Sequence, residues 1–229
     1  MNSKSVSPRL FVIFAKEANE AVVFARGPSA WFHVIRWDTS QDKFEPGAWI
    51  RGCIYPERCD LSPDGQLLLY FVHQGRRSKT SYTCAWTGIS RSPWLNALGL
   101  WPWGGTWGGG GHFEGNRKVV LAAGCEWQTH PDHIPQGLEI GFGSVKRQAS
   151  SGEVKGADWS GRDQRGRLIV AANGQLCWQR ENQTSRVLAD FNGNKPEPKE
   201  APRWAVGPLL DKRGKNVDGR FVRHQRKDT

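Results

Sequence analysis

The most constraining feature of this 229-residue chain is a unit that recurs about every fifty residues, a polar turn followed at once by a short, strongly apolar run. Its clearest copy is Asp60-Leu-Ser-Pro-Asp64-Gly65-Gln-Leu67-Leu-Leu-Tyr-Phe71. Proline presets φ at the first central position of such a turn and glycine takes the left-handed one, so Ser-Pro-Asp-Gly reverses the chain by a definable mechanism. Gly111-His-Phe-Glu-Gly115-Asn116-Arg-Lys-Val119-Val-Leu121 repeats the layout, and the segment from Ala157 to Val170 repeats it with the Asp-x-Ser lead restored. The turn dipeptides Asp64-Gly65, Gly115-Asn116 and Arg165-Gly166 stand 51 and 50 residues apart. Ala18-Asn19, 46 residues before Asp64, leads into Ala21-Val-Val-Phe24, whereas Arg213-Gly214, 48 residues after Arg165, has no apolar run behind it. Four units are complete and a fifth is partial.

A period of about 40 to 50 residues built from several short strands is the mark of propeller blades, which bury their faces only against neighbouring blades. The text within a unit agrees: Leu168-Ile-Val170 is followed by Asn173-Gly174, a strong hairpin signal, then by Leu176-Cys-Trp178 and Arg186-Val-Leu-Ala-Asp190-Phe191. With 27 Gly and 13 Pro, no stretch keeps helical periodicity for three turns; the best candidate, Ser92 to Leu100, opens on Ser-Pro. The expected fold is therefore all-β, a small β-propeller of four to five blades over residues 1–211, with a basic tail over 212–229. Closure of the ring by the N-terminal strand Leu10 to Ala15 beside the last blade is a further expectation.

The run from Asp60 to Tyr70, with Ala157-Asp158-Trp159-Ser160 and Gly166-Arg-Leu-Ile-Val170, resembles the Asp-x-Ser-Pro-Asp-Gly-x-x-Leu-x-Tyr hairpin of TolB-type and WD-type propeller repeats. The chain is also similar in style to small bacterial WD-like repeat proteins without an assigned activity. That resemblance implies a propeller that binds other macromolecules, and it brings no catalytic residues.

Apolar runs such as Leu67 to Val72 fall far short of the roughly 20 residues a membrane-spanning helix needs, and Met1 to Pro8 is polar, so neither membrane insertion nor export is expected. Five scattered cysteines without a Cys-x-x-Cys pair fit reduced thiols in the cytoplasm.

Function has to come from sites, because one fold hosts many functions. Glycine-rich Gly104 to Gly111 leads into a strand rather than a helix N-terminus, which argues against a phosphate loop and for a permissive connection. Asp60 with Asp64, and Asp158 with Asp163, lack the remaining ligands of a calcium loop and are expected to pin turns. His130, Asp132 and His133, with Cys125, gather metal-ligand types at a spacing that matches no strong zinc pattern, so they stand as weak metal candidates and no cofactor is expected. No Gly-x-Ser-x-Gly elbow exists, and Asp38, Glu45, Asp60, Glu114 and Asp158 are the acids a glycosidase-like funnel would have to draw on. A catalytic role is not expected.

Twelve tryptophans run through every unit and most belong in a core between sheets. Trp94, Trp101, Trp103 and Trp107, among prolines and glycines, form the candidate aromatic binding patch. The net charge is +10, and half of it lies in the tail, where Lys212, Arg213, Lys215, Arg220, Arg223, Arg226 and Lys227 face only two acids; Arg76, Arg77 and Lys79 form a second basic stretch. Such an arm neutralises phosphates without reading sequence. The expected function is a non-catalytic scaffold or accessory subunit that binds another protein. The alternatives are a nucleic-acid-associated accessory and a carbohydrate-binding or glycosidase-like propeller.

Overall fold

The computed structural model describes residues 6–27, 30–75, 81–123, 129–149, 154–180 and 184–209. The chain is all-β, in four sheets taken up in sequence order. The first is an antiparallel meander of β1 (Arg9–Phe14), β2 (Glu20–Arg26), β3 (Trp31–Asp38) and β4 (Lys43–Arg51). The second comprises β5 (Cys53–Ile54), β6 (Asp60–Leu61), β7 (Leu67–His73), β8 (Ala85–Arg91) and β9 (Ala97–Trp103), with β5 and β6 sharing one edge of β7. The third has β10 (Gly111–Phe113), β11 (Lys118–Ala122) and β12 (Glu139–Gly143). The fourth is a meander of β13 (Trp159–Arg162), β14 (Leu168–Ala172), β15 (Gln175–Gln179) and β16 (Arg186–Asp190). The single α-helix among the described residues is α1, Arg203–Val206, and no described helix is long and apolar enough to cross a membrane.

Each complete sequence unit is the first hairpin of one sheet. The turns at Ala18-Asn19, Asp64-Gly65, Gly115-Asn116 and Arg165-Gly166 join β1 to β2, β6 to β7, β10 to β11 and β13 to β14. The partial fifth unit at Arg213 lies outside the described residues.

Strand periodicity explains why the central runs are apolar at every position. Along β7, Leu68, Tyr70 and Val72 enter a cluster with Val22, Phe24 and Val34 of the first sheet, while Leu67 and Leu69 enter one with Phe113, Val119 and Leu121 of the third. On β2, Val22 and Phe24 face the second sheet, while Ala21, Val23 and Ala25 join Trp159, Ile169 and Leu176 of the fourth. A strand with sheets on both sides needs no polar face. The first sheet therefore lies between the second and the fourth, and the second between the first and the third. Among the described residues no hydrophobic cluster joins the third sheet to the fourth. Among the described residues β1 pairs with β2 alone and meets the fourth sheet by packing, through Leu10 and Val12, rather than as an added strand of that sheet.

Two irregularities shape the surface. Ser92 to Leu100 is a turn leading into β9 rather than a helix. β12 runs parallel to β11, which demands a long crossover. That crossover passes over β9: His130 N–H donates to Leu100 O at 2.8 Å and Leu100 N–H to His133 O at 3.2 Å, which covers an otherwise open strand edge.

Candidate functional site

The glycine-rich loop between β9 and β10 is built around a cation. Arg58 Nη1 donates to Thr106 O at 2.7 Å and Gly108 O at 2.5 Å, and its guanidinium lies over the rings of Tyr55 and Phe71 at 5.2 and 5.3 Å. The loop turns carbonyls toward the group it holds, the opposite polarity from a phosphate cradle, which presents N–H groups. Its glycines are required: Gly109 and Gly110 have φ of +80° and +83°, and a Cβ there would stand 2.2 Å from Phe71 and 2.4 Å from Arg58 O. Gly110 N–H donates to Thr87 Oγ1 at 2.9 Å, and the Trp103 indole to Trp107 O at 3.2 Å. Backbone on both sides of Trp107 is thus fixed while its side chain is 93% exposed.

The four candidate tryptophans do not form one patch. Trp101 is 1% exposed between the second and third sheets, and Trp94 is 8% exposed in a separate cluster with Ala48 and Ala205. Trp103 is half-buried, and Trp107 alone of the four projects into solvent. β9 points Trp101 inward by alternation, whereas Trp107 stands past the strand end where no sheet covers it.

The second arrangement is the histidine segment on the crossover. Tyr82 stacks on His130 with ring centroids 4.5 Å apart and planes 12° from parallel. Tyr82 Oη is 3.2 Å from His133 Nε2, and His133 Nδ1 is 3.1 Å from Ala97 O. A carbonyl only accepts, so Nδ1 carries the proton and Nε2 of the neutral ring accepts from the tyrosine hydroxyl. His130 Nδ1 accepts from Asp132 N–H at 3.2 Å, which leaves its Nε2–H to donate to Ser81 Oγ at 2.9 Å. Both imidazoles are committed to protein partners. Among the described residues no three His, Cys, Asp or Glu groups converge as metal ligands, and Cys125 lies outside the described residues.

Beside this segment opens a cavity of about 480 Å³. Ile50 of β4, Tyr70, Trp86 and Leu100 of the second sheet, Val206 of α1, and Tyr82, Asn96, Asp132 and His133 line it. Neither Tyr82 nor Trp86 is tied to the histidines by any local signal: Tyr82 precedes His133 by 51 residues, and only the crossover brings them together.

The acidic residues are dispersed and locally employed. Asp64 Oδ1 accepts from Ser62 Oγ at 2.6 Å and Gln66 N–H at 3.1 Å, and Asp163 accepts from the Arg165 and Arg167 amides at 3.0 and 2.8 Å, so both pin their turns. Asp38 caps the turn at Ser40, Glu114 pairs with Lys118 at 3.0 Å, and Asp158 lies 3.7 Å from Arg9. Asp60 is buried, accepting from Phe113 N–H at 2.7 Å and Gln148 Nε2 at 2.8 Å, and burial pushes its carboxyl above the usual range. Arg76, Arg77, Lys79 and the seven basic residues from Lys212 to Lys227 lie outside the described residues. No protein-family model, curated protein or solved structure matches the chain.

Proposed function

We propose that this chain is a non-catalytic interaction module of the β-propeller type, its four sheets acting as blades and the repeated hairpin as a TolB-like or WD-like unit. In this reading it is a cytoplasmic scaffold or accessory subunit that docks another protein on the rim carrying Trp107. The observation that supports the reading is the combination at that residue of near-complete exposure with a braced backbone. An indole held out on a fixed loop gives a partner large apolar area with little ordering entropy left to lose, the usual character of an interface hot spot. The long basic tail makes nucleic acid the competing partner.

The test replaces Trp107 with a photo-crosslinking phenylalanine analogue and irradiates the chain in native lysate, with and without nuclease, beside Trp107→Ala under conventional capture. The expected result is one stoichiometric protein adduct that survives nuclease, and loss of the same protein from the Trp107→Ala capture. Adducts that disappear with nuclease, or capture that is indifferent to Trp107, would overturn the reading.

A further inference from the structure

We propose that the cavity beside Tyr82 and His133 binds an alkyl cation, the ammonium or guanidinium head of a basic side chain or of a free polyamine. This goes beyond the docking role of Trp107, which sits on a different loop and takes no part in the cavity.

The polarity of the wall carries the assignment. With Nδ1–H of His133 donated to Ala97 O, the Tyr82 hydroxyl gives its proton to Nε2 and turns lone pairs outward. Tyr70 Oη donates to Leu95 O at 2.9 Å, so that hydroxyl proton is used within the protein. Asp132 adds a carboxylate that only accepts, and its side chain is 78% exposed at the mouth. Asn96 offers an amide of either polarity. No lysine or arginine is among the described lining residues, although the chain carries +10, and two other cavities contain Arg51 or Arg9 and Arg26.

Among the described residues such a wall offers an anion no cationic partner and sets the Asp132 carboxylate against it. A donor-rich head satisfies it: the charge meets Asp132, N–H groups meet the Tyr82 oxygen, and the alkyl stem lies on Ile50, Leu95 and Leu100. The aromatic faces of Tyr82 and Trp86 add attraction for a desolvated cation.

The test is calorimetric titration of the full chain with agmatine and with n-butylammonium, set against maltose and sulfate. Saturable binding of the two cations that weakens with salt is expected, with neither counter-probe binding. Asp132→Asn, a change at an exposed side chain that should leave melting untouched, is expected to weaken agmatine about tenfold, the scale of one charge-assisted contact. Tyr82→Phe keeps the ring and removes the oxygen, and should weaken it as well. Spermidine and a capped arginine tripeptide distinguish the sources: the tighter of the two names the physiological class. Failure of both cations at millimolar concentration, an Asp132→Asn variant that binds equally well, or preferential binding of maltose would each overturn the assignment.

Discussion

Gly110 and Trp107, three residues apart on one loop, make opposite predictions. An alanine at Gly110 meets left-handed backbone and a Cβ position 2.4 Å from Arg58 O, so Gly110→Ala should destabilise by about 2 kcal/mol or more in urea unfolding. Trp107→Ala removes a side chain that touches little and should stay within about 0.5 kcal/mol of the parent. A second residue-scale effect is set by His33, stacked on Trp49 at 4.1 Å with its Nε2 buried and without a hydrogen-bond partner among the described residues. Burial lowers its pKa to about 4. Between the ordinary histidine value and pH 4 the unfolded chain therefore binds a proton that the folded chain does not. Stability then falls as pH drops through that window and levels off below it. His33→Phe, which keeps a ring against Trp49, should flatten the decline in Tm relative to the parent between pH 6.5 and pH 4; parallel curves would show that His33 is not responsible. Trp107 was legible in the sequence as one of four candidate tryptophans, but the contacts of Gly110 and His33 were not. The glycine run could be read as permissive, but not as a cradle for Arg58, because the arginine lies 48 residues upstream and local text does not encode which cation a carbonyl meets.

At the scale of elements the turns were the legible part. Each of the four hairpin turns read from Pro, Gly, Asn and Asp falls in the first hairpin of a sheet, since those residues fix backbone geometry locally. What the turns do to one another was not legible. Glu17 N–H donates to Pro63 O at 2.9 Å and Asp64 N–H to Asn116 Oδ1 at 2.9 Å, while Gln164 Nε2 reaches Ala15 O and Ala18 O at 2.9 and 2.8 Å. The four turns are laced together across sheet boundaries. The tightest lace is ionic: Arg167 donates to Asp163 Oδ2 at 2.6 Å and to both Asp42 oxygens at 2.8 Å, with its guanidinium over Trp178. The Asp163 side chain is fully buried. Arg167→Met keeps the stem over Trp178 and removes the short bonds to both carboxylates, leaving them only Arg165 at 3.5 Å from Asp42 and 3.9 Å from Asp163, so it should cost about 2 to 3 kcal/mol by chemical unfolding, beyond an exposed pair. A loss below about 1 kcal/mol would mean that this network does not hold the fourth sheet to the first. The parallel β12 also escaped the sequence reading, because its register is set by a crossover whose partner, β9, belongs to the preceding sheet.

At the scale of the whole molecule, what holds the sheets together is their stacking order, and both ends of the chain contribute. β1 supplies Leu10 and Val12 to the cluster with the fourth sheet and Ile13 to the cluster with the second, so deleting residues 1–16 strips both boundaries at once and should abolish cooperative unfolding. Near the other end, Leu209 is 2% exposed among Leu67, Leu69, Ile89 and Trp101, and Arg91 Nη2 donates to Gly207 O and Pro208 O at 3.2 and 2.7 Å. The composition shift after Pro208-Leu-Leu marks where the basic tail begins, but it gives no hint that Leu209 closes the boundary between the second and third sheets. Truncation after Leu210 keeps that plug, whereas truncation after Val206 removes it along with both acceptors for Arg91. The longer form should melt close to the full chain. The shorter one should lose about 2 to 4 kcal/mol, the burial of one leucine plus hydrogen bonds to a charged donor. Equal melting of the two truncations would show that the sheets hold without the plug, and that their order rests on the clusters around β2 and β7 alone.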